Sequence, residues 1–382
     1  MTVRRRTVLA GAGVAMAGVA AGVVDLVSAG SAPHGRLRIG YLPITDAAPL
    51  LVAHAQNRYA RAGIEVDRPV LFRGWESLAQ AFVDGELDVV HLLMPFALQL
   101  RYALDARLKI VAWSHTNGSA LTVGNDVSDI TTLAGRKVAV PFWWSIHNVV
   151  TQQMLRAHGV TPVVRVAPSE SDRTVQLLVM SPADMLPALQ TGTIAGYAVA
   201  DPFNAAAELK KVGRISRFLG DAWCRHACCA IVVRQELVDE NPAAVQAVTT
   251  ALLGAQRWIE TNRVPAARLL SQGGYLPQPI PAVSRSLTYP DTDYPLRHPQ
   301  WQGQRIGFAP FPFPSYTERL VTAMRDTVVD GDRSFLDGLD PGAVHVDVAD
   351  DRFVRRSMAA SGGPAAFGLP VSLTRQELVI PR

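Results

Sequence analysis

The sequence predicts an α/β protein with two lobes, each built from a mostly parallel sheet flanked by helices. The chain has 382 residues, which exceeds the usual size of a single hydrophobic core. Short apolar segments alternate with segments of helical length, an order that is typical of parallel sheets covered on both faces. The alternation starts again near Asp126 and changes near Arg225, so we expect two segments that cross between the lobes.

The first lobe is predicted to comprise residues 36–125 and 225–274. Its first strand is LRIGYLP, after which Thr45 and Asp46 are predicted to cap a helix that runs to about Ala62. The elements that follow are the strand IEVDRPVLF, a helix from Trp75, the strand LDVVHLL, a helix from Pro95, and the strands LKIVAWS and ALTVG. The returning chain adds the segment CCAIVVRQELV and a long helix that Asn241 and Pro242 open.

The second lobe is predicted to comprise residues 126–224. Its elements are the strand KVAVPF, the helix Ile146–His158, the strand VVRVA, the helix Ala183–Gln190, the strand AGYAVA and a helix from Phe203. Right-handed crossovers place the C-terminal ends of all parallel strands at the same edge of a sheet. Each lobe therefore has one edge at which a ligand-binding site is expected.

The C-terminal residues 275–382 break this pattern. The stretch YLPQPIPAVSRSLTYPDTDYPLRHPQWQGQRIGFAPFPFP is so dense in proline that irregular structure is predicted throughout it. An amphipathic helix, Tyr316–Val329, is predicted to follow. We expect this extension to pack on the body of the protein; a flexible linker is the alternative.

The N-terminal residues 1–29 have the pattern of an export signal. A basic start precedes a Gly/Ala-rich apolar run, Val27-Ser28-Ala29 fits a cleavage site, and Arg5-Arg6 resembles a twin-arginine signal. A membrane anchor is the alternative, although the apolar run is short and rich in glycine. The chain has no block of like charge and a net charge of only +4, so nucleic acid is not an expected partner.

Three cysteines, Cys224, Cys228 and Cys229, lie together in DAWCRHACCAIVV. Small buried residues are the preferred interpretation, because the segment continues into an apolar strand and its spacing matches no known zinc pattern. A soft-metal cluster with His226 and an oxidised cysteine pair remain the alternatives. No metal and no cofactor are predicted.

Polar and aromatic residues follow several of the predicted strands, at the edges where ligands bind in open α/β sheets. The helix that begins near Ile146 directs unpaired N–H groups toward an anion or a carbonyl oxygen, and Trp143 and Trp144 can form an apolar wall beside it. Alternatively, Ser145 caps only its own helix while one tryptophan fills the core. The predicted ligand-binding residues are Thr45, Asp46, Met94, His115, Asn117, Trp143, Trp144, Ser145, His147, Asp201 and Asn204.

Ser145, His147 and Asp201 are the residue types of a hydrolase triad, which makes an enzyme the alternative to a binding protein. The sequence contains no G-x-S-x-G elbow, no H-E-x-x-H motif and no Walker loop. A binding protein without catalytic residues is therefore predicted.

Five blocks of the sequence, in order, resemble periplasmic solute-binding proteins of the nitrate, bicarbonate, sulfonate and taurine group of ABC importers. These blocks are RIGYLPITDAAPLLVAHAQNRYARAGIEV, ELDVVHLLMPFALQL, TLAGRKVAVPFWWSIHNVVTQQMLRAHGV, LQTGTIAGYAVADPFNAAA and VRQELVDENPAAVQAVTTALLGAQRW. Within the group, Thr45-Asp46-Ala47-Ala48-Pro49-Leu50 most resembles the nitrate and bicarbonate branch. The resemblance implies a type II periplasmic-binding-protein fold, with two lobes that close on a small solute.

The resemblance also implies delivery of the solute to an ABC permease and its separate ATPase. A monomer is expected, and the predicted export signal places the protein outside the cytoplasm. The acidic-Pro-Trp-Asn motif of the group corresponds to Asp201-Pro202-Phe203-Asn204, and the lysine of nitrate binders corresponds to Cys229. Loss of this lysine argues against nitrate, so the expected ligand is another small anion or a small organic solute. The alternative is a pyrimidine-binding protein of the thiamine-precursor type, or a related enzyme of the same fold.

Overall fold

The computed structural model describes residues 35–294 and 306–380. The predicted export signal, residues 1–29, lies outside the described residues. Within these two stretches, no helix combines the length and the apolar character needed to cross a membrane.

The described residues form 13 strands and 14 α-helices. The strands are β1 (Ile39–Tyr41), β2 (Val70–Leu71), β3 (Val89–Leu93), β4 (Leu108–Trp113), β5 (Thr116–Asn117), β6 (Ser119–Gly124), β7 (Lys137–Val140), β8 (Thr161–Val163), β9 (Thr174–Val179), β10 (Gly196–Ala200), β11 (Gly213–Phe218), β12 (Cys229–Arg234) and β13 (Ile306–Gly307). The helices are α1 (Ala48–Ala55), α2 (Arg58–Arg61), α3 (Trp75–Val83), α4 (Met94–Ala103), α5 (Ile146–Ala157), α6 (Pro182–Gln190), α7 (Phe203–Leu209), α8 (Gln235–Glu240), α9 (Pro242–Thr261), α10 (Arg263–Gln272), α11 (Ile280–Leu287), α12 (Pro314–Arg325), α13 (Pro341–Val348) and α14 (Arg352–Ala359).

Two large sheets organise these elements, and both are mostly parallel, as the sequence predicts. The first sheet has the strand order β2-β1-β3-β12-β4, and the second has the order β11-β6-β10-β7-β9-β8. In the first sheet only β12 runs against its neighbours; in the second only β6 does so. Each of these two antiparallel strands comes directly after the chain has passed from one sheet to the other.

The first crossing between the sheets lies earlier than predicted. The sequence predicts a first lobe that extends to residue 125 and therefore includes β6, but β6 pairs with β10 and β11 of the second sheet. The chain therefore crosses at residues 114–118 and returns at residues 219–228. An apolar strand pattern does not reveal its pairing partner, which explains the error. The division of the protein into two separate lobes remains a prediction.

The two crossings run side by side and are joined by backbone hydrogen bonds. The N–H of Ser114 donates to the carbonyl of Cys229 (3.2 Å), and the N–H of Asn117 donates to the carbonyl of His226 (2.9 Å). Gly118, the last residue of the first crossing, has a φ of 82°, and a Cβ at this position would lie 3.0 Å from the side chain of Ile306 and 3.3 Å from Oδ1 of Asp46. A glycine is favoured here because the backbone combines a left-handed conformation with a close approach.

The predicted helix from Thr45 to about Ala62 is interrupted. A short 3-10 turn at Thr45–Ala47 precedes α1, and α1 is separated from α2 at Asn57, which has a φ of 53°. Asp46 makes no capping hydrogen bond, so the predicted capping role is wrong. Its side chain faces His115 instead.

The proline-rich segment after Tyr275 is more regular than predicted. Pro279 precedes α11, and Pro281 occupies its first turn, where a proline has no intrahelical N–H bond to lose. Further along the chain, the backbone of Val328 makes two hydrogen bonds with the side chain of Gln152 in α5. Gln152 donates to the carbonyl of Val328 (2.7 Å) and accepts from its N–H (2.9 Å). The described C-terminal residues thus make direct contacts with the second sheet's helices.

We expect Gln256→Leu to destabilise the protein. Nε2 of Gln256, a fully buried residue of α9, donates to the carbonyls of Trp113 (2.9 Å) and Ser114 (2.8 Å) at the start of the first crossing. Leucine leaves these hydrogen bonds unmade, so the free energy of unfolding should fall by about 1–3 kcal/mol. Urea unfolding measures the loss, and the exposed Gln272→Leu serves as the control, with a change within about 0.5 kcal/mol. Equal stability of the two variants would contradict the expectation.

Candidate ligand-binding site

A cluster of buried polar side chains lies where the two sheets meet. We call it the junction cluster, and its members are Asp46, His115, Ser119, His147, Cys228 and Cys229. The two crossings contribute His115 and Cys228, β1 leads into Asp46, β6 and β12 begin with Ser119 and Cys229, and the first turn of α5 carries His147. Each member is at most 1% exposed to solvent.

The centre of the junction cluster is a buried acid–imidazole pair. Oδ2 of Asp46 lies 2.9 Å from Nε2 of His115, and both side chains are fully buried. The two atoms are close but are not aligned as a hydrogen bond. The Ser114 hydroxyl donates to the backbone carbonyl of Asp46 (2.7 Å) and thereby fixes this turn to the first crossing.

Cys228 connects this pair to the second sheet. Its Sγ lies 3.7 Å from Sγ of Cys229 and 3.8 Å from Nε2 of His147. The same nitrogen of His147 lies 2.9 Å from the hydroxyl of Ser119. Groups from both sheets therefore meet around one thiol, with no solvent-exposed member.

The histidines of the region differ in protonation. Burial disfavours a charged imidazole, but at His115 the Asp46 carboxylate outweighs this effect and raises the pKa to about 10. Burial, reinforced by the neighbouring His226 and His115, lowers the pKa of His147 to about 3. Burial also raises the pKa of the Cys228 thiol well above its ordinary value. At neutral pH the cluster thus holds one cationic imidazole beside a neutral one.

Several buried polar atoms at the junction have no hydrogen-bond partner within the described part of the chain. They include both carboxylate oxygens of Asp46, both ring nitrogens of His115, Nδ1 of His147, Oδ1 of Asn117 and Oδ2 of Asp201. Nearly all buried polar atoms in folded proteins find a partner, so such a concentration is typical of a place that receives a ligand, an ion or water.

The structure brings seven of the predicted site residues to the junction or beside it. Asp46, His115 and His147 belong to the cluster itself. The carbonyl of Asp201 accepts from both the N–H (2.8 Å) and the hydroxyl (3.1 Å) of Thr45, a contact that links the ends of β10 and β1. Two further residues contribute through their backbone: Met94 donates to the carbonyl of Cys228, and Asn117 donates to that of His226.

The other four predicted site residues have structural contacts of their own. Ser145 is the N-cap of α5: its Oγ accepts from the N–H of Asn148 (3.1 Å) and donates to the carbonyl of Phe142 (2.7 Å). The ring of Trp144 packs edge-on against Phe335, with the ring centroids 5.3 Å apart.

Trp143 is half-buried against the apolar core. Asn204 accepts from the hydroxyl of Thr122 (2.8 Å) and donates to the carbonyl of Val199 (2.9 Å), so its amide joins α7 to the second sheet. The alternative in which Ser145 caps its helix and a tryptophan packs internally therefore matches these contacts. Ligand-binding roles for these four residues remain predictions.

Ser145, His147 and Asp201 do not form a triad. The Ser145 hydroxyl is engaged with its own helix and with Phe142, whereas Nε2 of His147 lies beside Ser119. The carboxylate of Asp201 accepts from the Tyr289 hydroxyl (3.0 Å) and from the N–H of Ala205 (3.2 Å). These contacts give no nucleophile–base pair among Ser145, His147 and Asp201.

The sequence interpretation missed Ser119, and it grouped the cysteines with the wrong histidine. Cys228 and Cys229 lie with Asp46 and His115, whereas the side chain of His226 bonds the carbonyl of Trp223 (2.9 Å). The sequence signal for this cluster is the group of polar and sulfur-containing residues in the segments HTNGS (115–119) and RHACC (225–229). It could not reveal that the two segments run side by side.

The comparisons with known proteins agree with this fold. The model of the NMT1-like family matches residues 30–271. This match covers more than half of the chain, and the chain belongs to the NMT1-like family.

One relative is the nitrate/nitrite binding protein NrtA of Nostoc sp. (strain PCC 7120), which is 26% identical over 275 residues, or 65% of this chain and 60% of that protein. The chain thus spans about 60% of the length of this relative. Two solved structures match closely in fold. The periplasmic nitrate-binding protein NrtA from Synechocystis PCC 6803 has a TM-score of 0.74 at 21% identity, covering 89% of this chain and 92% of that one. The zinc-bound ligand-binding component of an ABC-type import system from Staphylococcus aureus has a TM-score of 0.67 at 20% identity, covering 84% and 98%.

These matches confirm the predicted periplasmic-binding-protein fold and the predicted resemblance to the nitrate-binding group. The three proteins described above are named as binding proteins or as a ligand-binding component. These names agree with the prediction of a binding protein rather than an enzyme. At these identities the two structures establish the fold alone.

We expect Ser145→Ala to lower the free energy of unfolding by about 1 kcal/mol, because α5 loses its N-cap. Chemical denaturation measures the change. The exposed Ser128→Ala is the control and should remain within about 0.5 kcal/mol of the wild type. A loss no larger than that of the control would show that the cap does not stabilise the helix.

Asp201 should make stability depend on pH. Burial raises its pKa from 3.8 to about 7, against hydrogen bonds from Ala205 and Tyr289 that lower it. Between these values the folded state holds a proton that the unfolded chain releases, so the contribution of Asp201 to the free energy of unfolding falls as the pH rises. Asp201→Asn removes this titration.

The measurement compares urea unfolding of Asp201→Asn and the wild type at about pH 5 and about pH 8. The variant should gain stability relative to the wild type at the higher pH. The exposed Asp172→Asn, measured in parallel, should show no such gain. A pH-independent difference between Asp201→Asn and the wild type would overturn the expectation.

Proposed function

We propose that this protein is an extracytoplasmic solute-binding protein, which captures a small anion or a small organic solute and delivers it to an ABC-type permease with a separate ATPase. The predicted export signal in residues 1–29 supports a location outside the cytoplasm. Membership in the NMT1-like family and the periplasmic-binding-protein fold support the binding role.

One observation carries this proposal: the buried junction cluster draws its polar groups from both sheets and both crossings. Asp46 and His115 lie on the side of the first sheet, while His147 and Ser119 belong to elements of the second. A ligand that contacts both groups favours the arrangement in which the sheets are close together. Solute binding would then be coupled to closure of the two sheets on the solute, and a permease could recognise the closed form.

The charges of the junction cluster indicate which kind of solute fits it. Its members include no lysine or arginine, and Cys229 stands where the resemblance places the lysine of nitrate binders. The cationic His115 is already balanced by Asp46 at 2.9 Å. A nitrate ion would therefore meet little net positive charge, so a solute with both hydrogen-bond donors and acceptors fits the cluster better.

A thermal-unfolding screen with nitrate, bicarbonate, alkanesulfonates and pyrimidines tests the proposal. A solute present at about 100 times its Kd should stabilise the protein by about 2.7 kcal/mol. Calorimetry with the solute that stabilises most should then show that His147→Gln weakens binding by about tenfold or more, equivalent to about 1.4 kcal/mol.

The matched control is His158→Gln, the same substitution directly after the opposite end of α5, where the imidazole bonds the carbonyl of Met154 (2.8 Å). This variant should bind the solute with unchanged affinity. Equal affinities of wild type, His147→Gln and His158→Gln would place the solute elsewhere, and a screen without any stabilising solute would count against a solute-binding role.

A further inference from the structure

Four side chains of the junction cluster present metal-ligating atoms to one another. They are a carboxylate oxygen of Asp46, a ring nitrogen of His115, and the Sγ atoms of Cys228 and Cys229, and all of these atoms lie within 4.8 Å of one another. We call these residues the four-donor set. All four side chains are fully buried, and no disulfide joins Cys228 to Cys229.

We propose that the four-donor set binds a soft divalent transition-metal ion of the zinc class. Two thiolates, one imidazole and one carboxylate are the ligand types that zinc accepts in tetrahedral sites. Thiolate ligands disfavour magnesium and calcium, which prefer oxygen donors. The proposal concerns the ion-binding chemistry of these residues, and it holds whether or not the protein delivers a solute to a permease.

The distance between the two thiols fits such a site. Metal–sulfur bonds of about 2.3 Å place two sulfurs of a tetrahedral zinc site about 3.8 Å apart. The Sγ atoms of Cys228 and Cys229 are 3.7 Å apart. This separation is close to the tetrahedral edge and well beyond the roughly 2.05 Å of a disulfide bond.

The arrangement of Asp46 and His115 gives a second, independent indication. Their nearest atoms are 2.9 Å apart, yet neither carboxylate oxygen and neither ring nitrogen makes an aligned hydrogen bond within the described residues. A buried ion pair is ordinarily stabilised by well-directed hydrogen bonds. Metal binding would release the proton of His115, and its freed ring nitrogen and the Asp46 carboxylate could then share one ion as their partner.

The surroundings supply the support that metal ligands require. Nε2 of His147 lies 3.8 Å from Sγ of Cys228, where an N–H can stabilise a thiolate. The N–H of Met94 donates to the carbonyl of Cys228 (2.9 Å), and Ser114 holds the carbonyl of Asp46. An ion at this point would join the turn after β1 to both crossings.

Cobalt(II) binding tests the proposal. Protein purified under reducing conditions and stripped with a chelator is titrated anaerobically with Co²⁺, without any solute. We expect the absorption of thiolate-to-cobalt charge transfer and of tetrahedral cobalt, saturating at one ion per chain and displaced by Zn²⁺. Cys228→Ser, Cys229→Ser and Asp46→Asn should abolish or sharply weaken these bands. The matched control, Cys224→Ser, should leave them unchanged, because Cys224 is a third buried thiol outside the four-donor set.

His147→Gln leaves the four donors in place and should weaken cobalt affinity by about 10- to 100-fold, as is typical when a residue that supports a metal ligand is replaced. X-ray absorption of the zinc-loaded wild type needs no variant and should show two sulfur ligands at about 2.3 Å. Three outcomes would overturn the proposal: no cobalt bands in fully reduced protein, a zinc shell without sulfur, or bands that Cys224→Ser removes. A Cys228–Cys229 disulfide that persists under the reducing conditions would do so as well.

These readouts are separate from the solute screen. Metal uptake with no stabilising solute would support the ion site and oppose the solute-binding function. A stabilising solute without cobalt bands would support the function and refute the ion site.

Discussion

The side-by-side course of the two crossings is the constraint on which the rest of the structure depends. The hydrogen bonds from Ser114 to Cys229 and from Asn117 to His226 hold the crossings together at the point where the chain passes between the sheets. The first crossing leads directly into β6 and the second into β12, and each strand pairs with its neighbours inside a sheet. The polar residues at the ends of the two crossings therefore lie in the interior of the protein. The junction cluster is a direct result of this topology.

Burying these groups has a cost that other contacts must offset. A carboxylate without a partner in an apolar interior is unfavourable by several kcal/mol. The imidazole of His115 provides one partner for Asp46, at 2.9 Å, but leaves other lone pairs unused. Burial of the large apolar core of the two sheets stabilises the fold enough to offset this cost. A bound solute or ion would satisfy the unused atoms, which is why we connect the cluster with function.

Local signals made much of the fold predictable. Pro242 and Asn241 begin α9, where Asn241 accepts from the N–H of Ala244, and Ser145 caps α5 as its position before an amphipathic run indicates. The errors arose where tertiary contacts overrule local preference. Asp46 resembles a helix cap in the sequence but is held by His115, and the apolar pattern of β6 is compatible with either sheet.

The sequence by itself determined the α/β class, most of the helices and the family, because these depend on periodicity, caps and motifs that lie close together in the chain. Only the tertiary structure decided which polar side chains meet. Cys228 and Cys229 lie beside Asp46 and His115 because β12 inserts between β3 and β4. Strand order is set by packing between segments far apart in the chain, and no spacing of residues along the sequence encodes it.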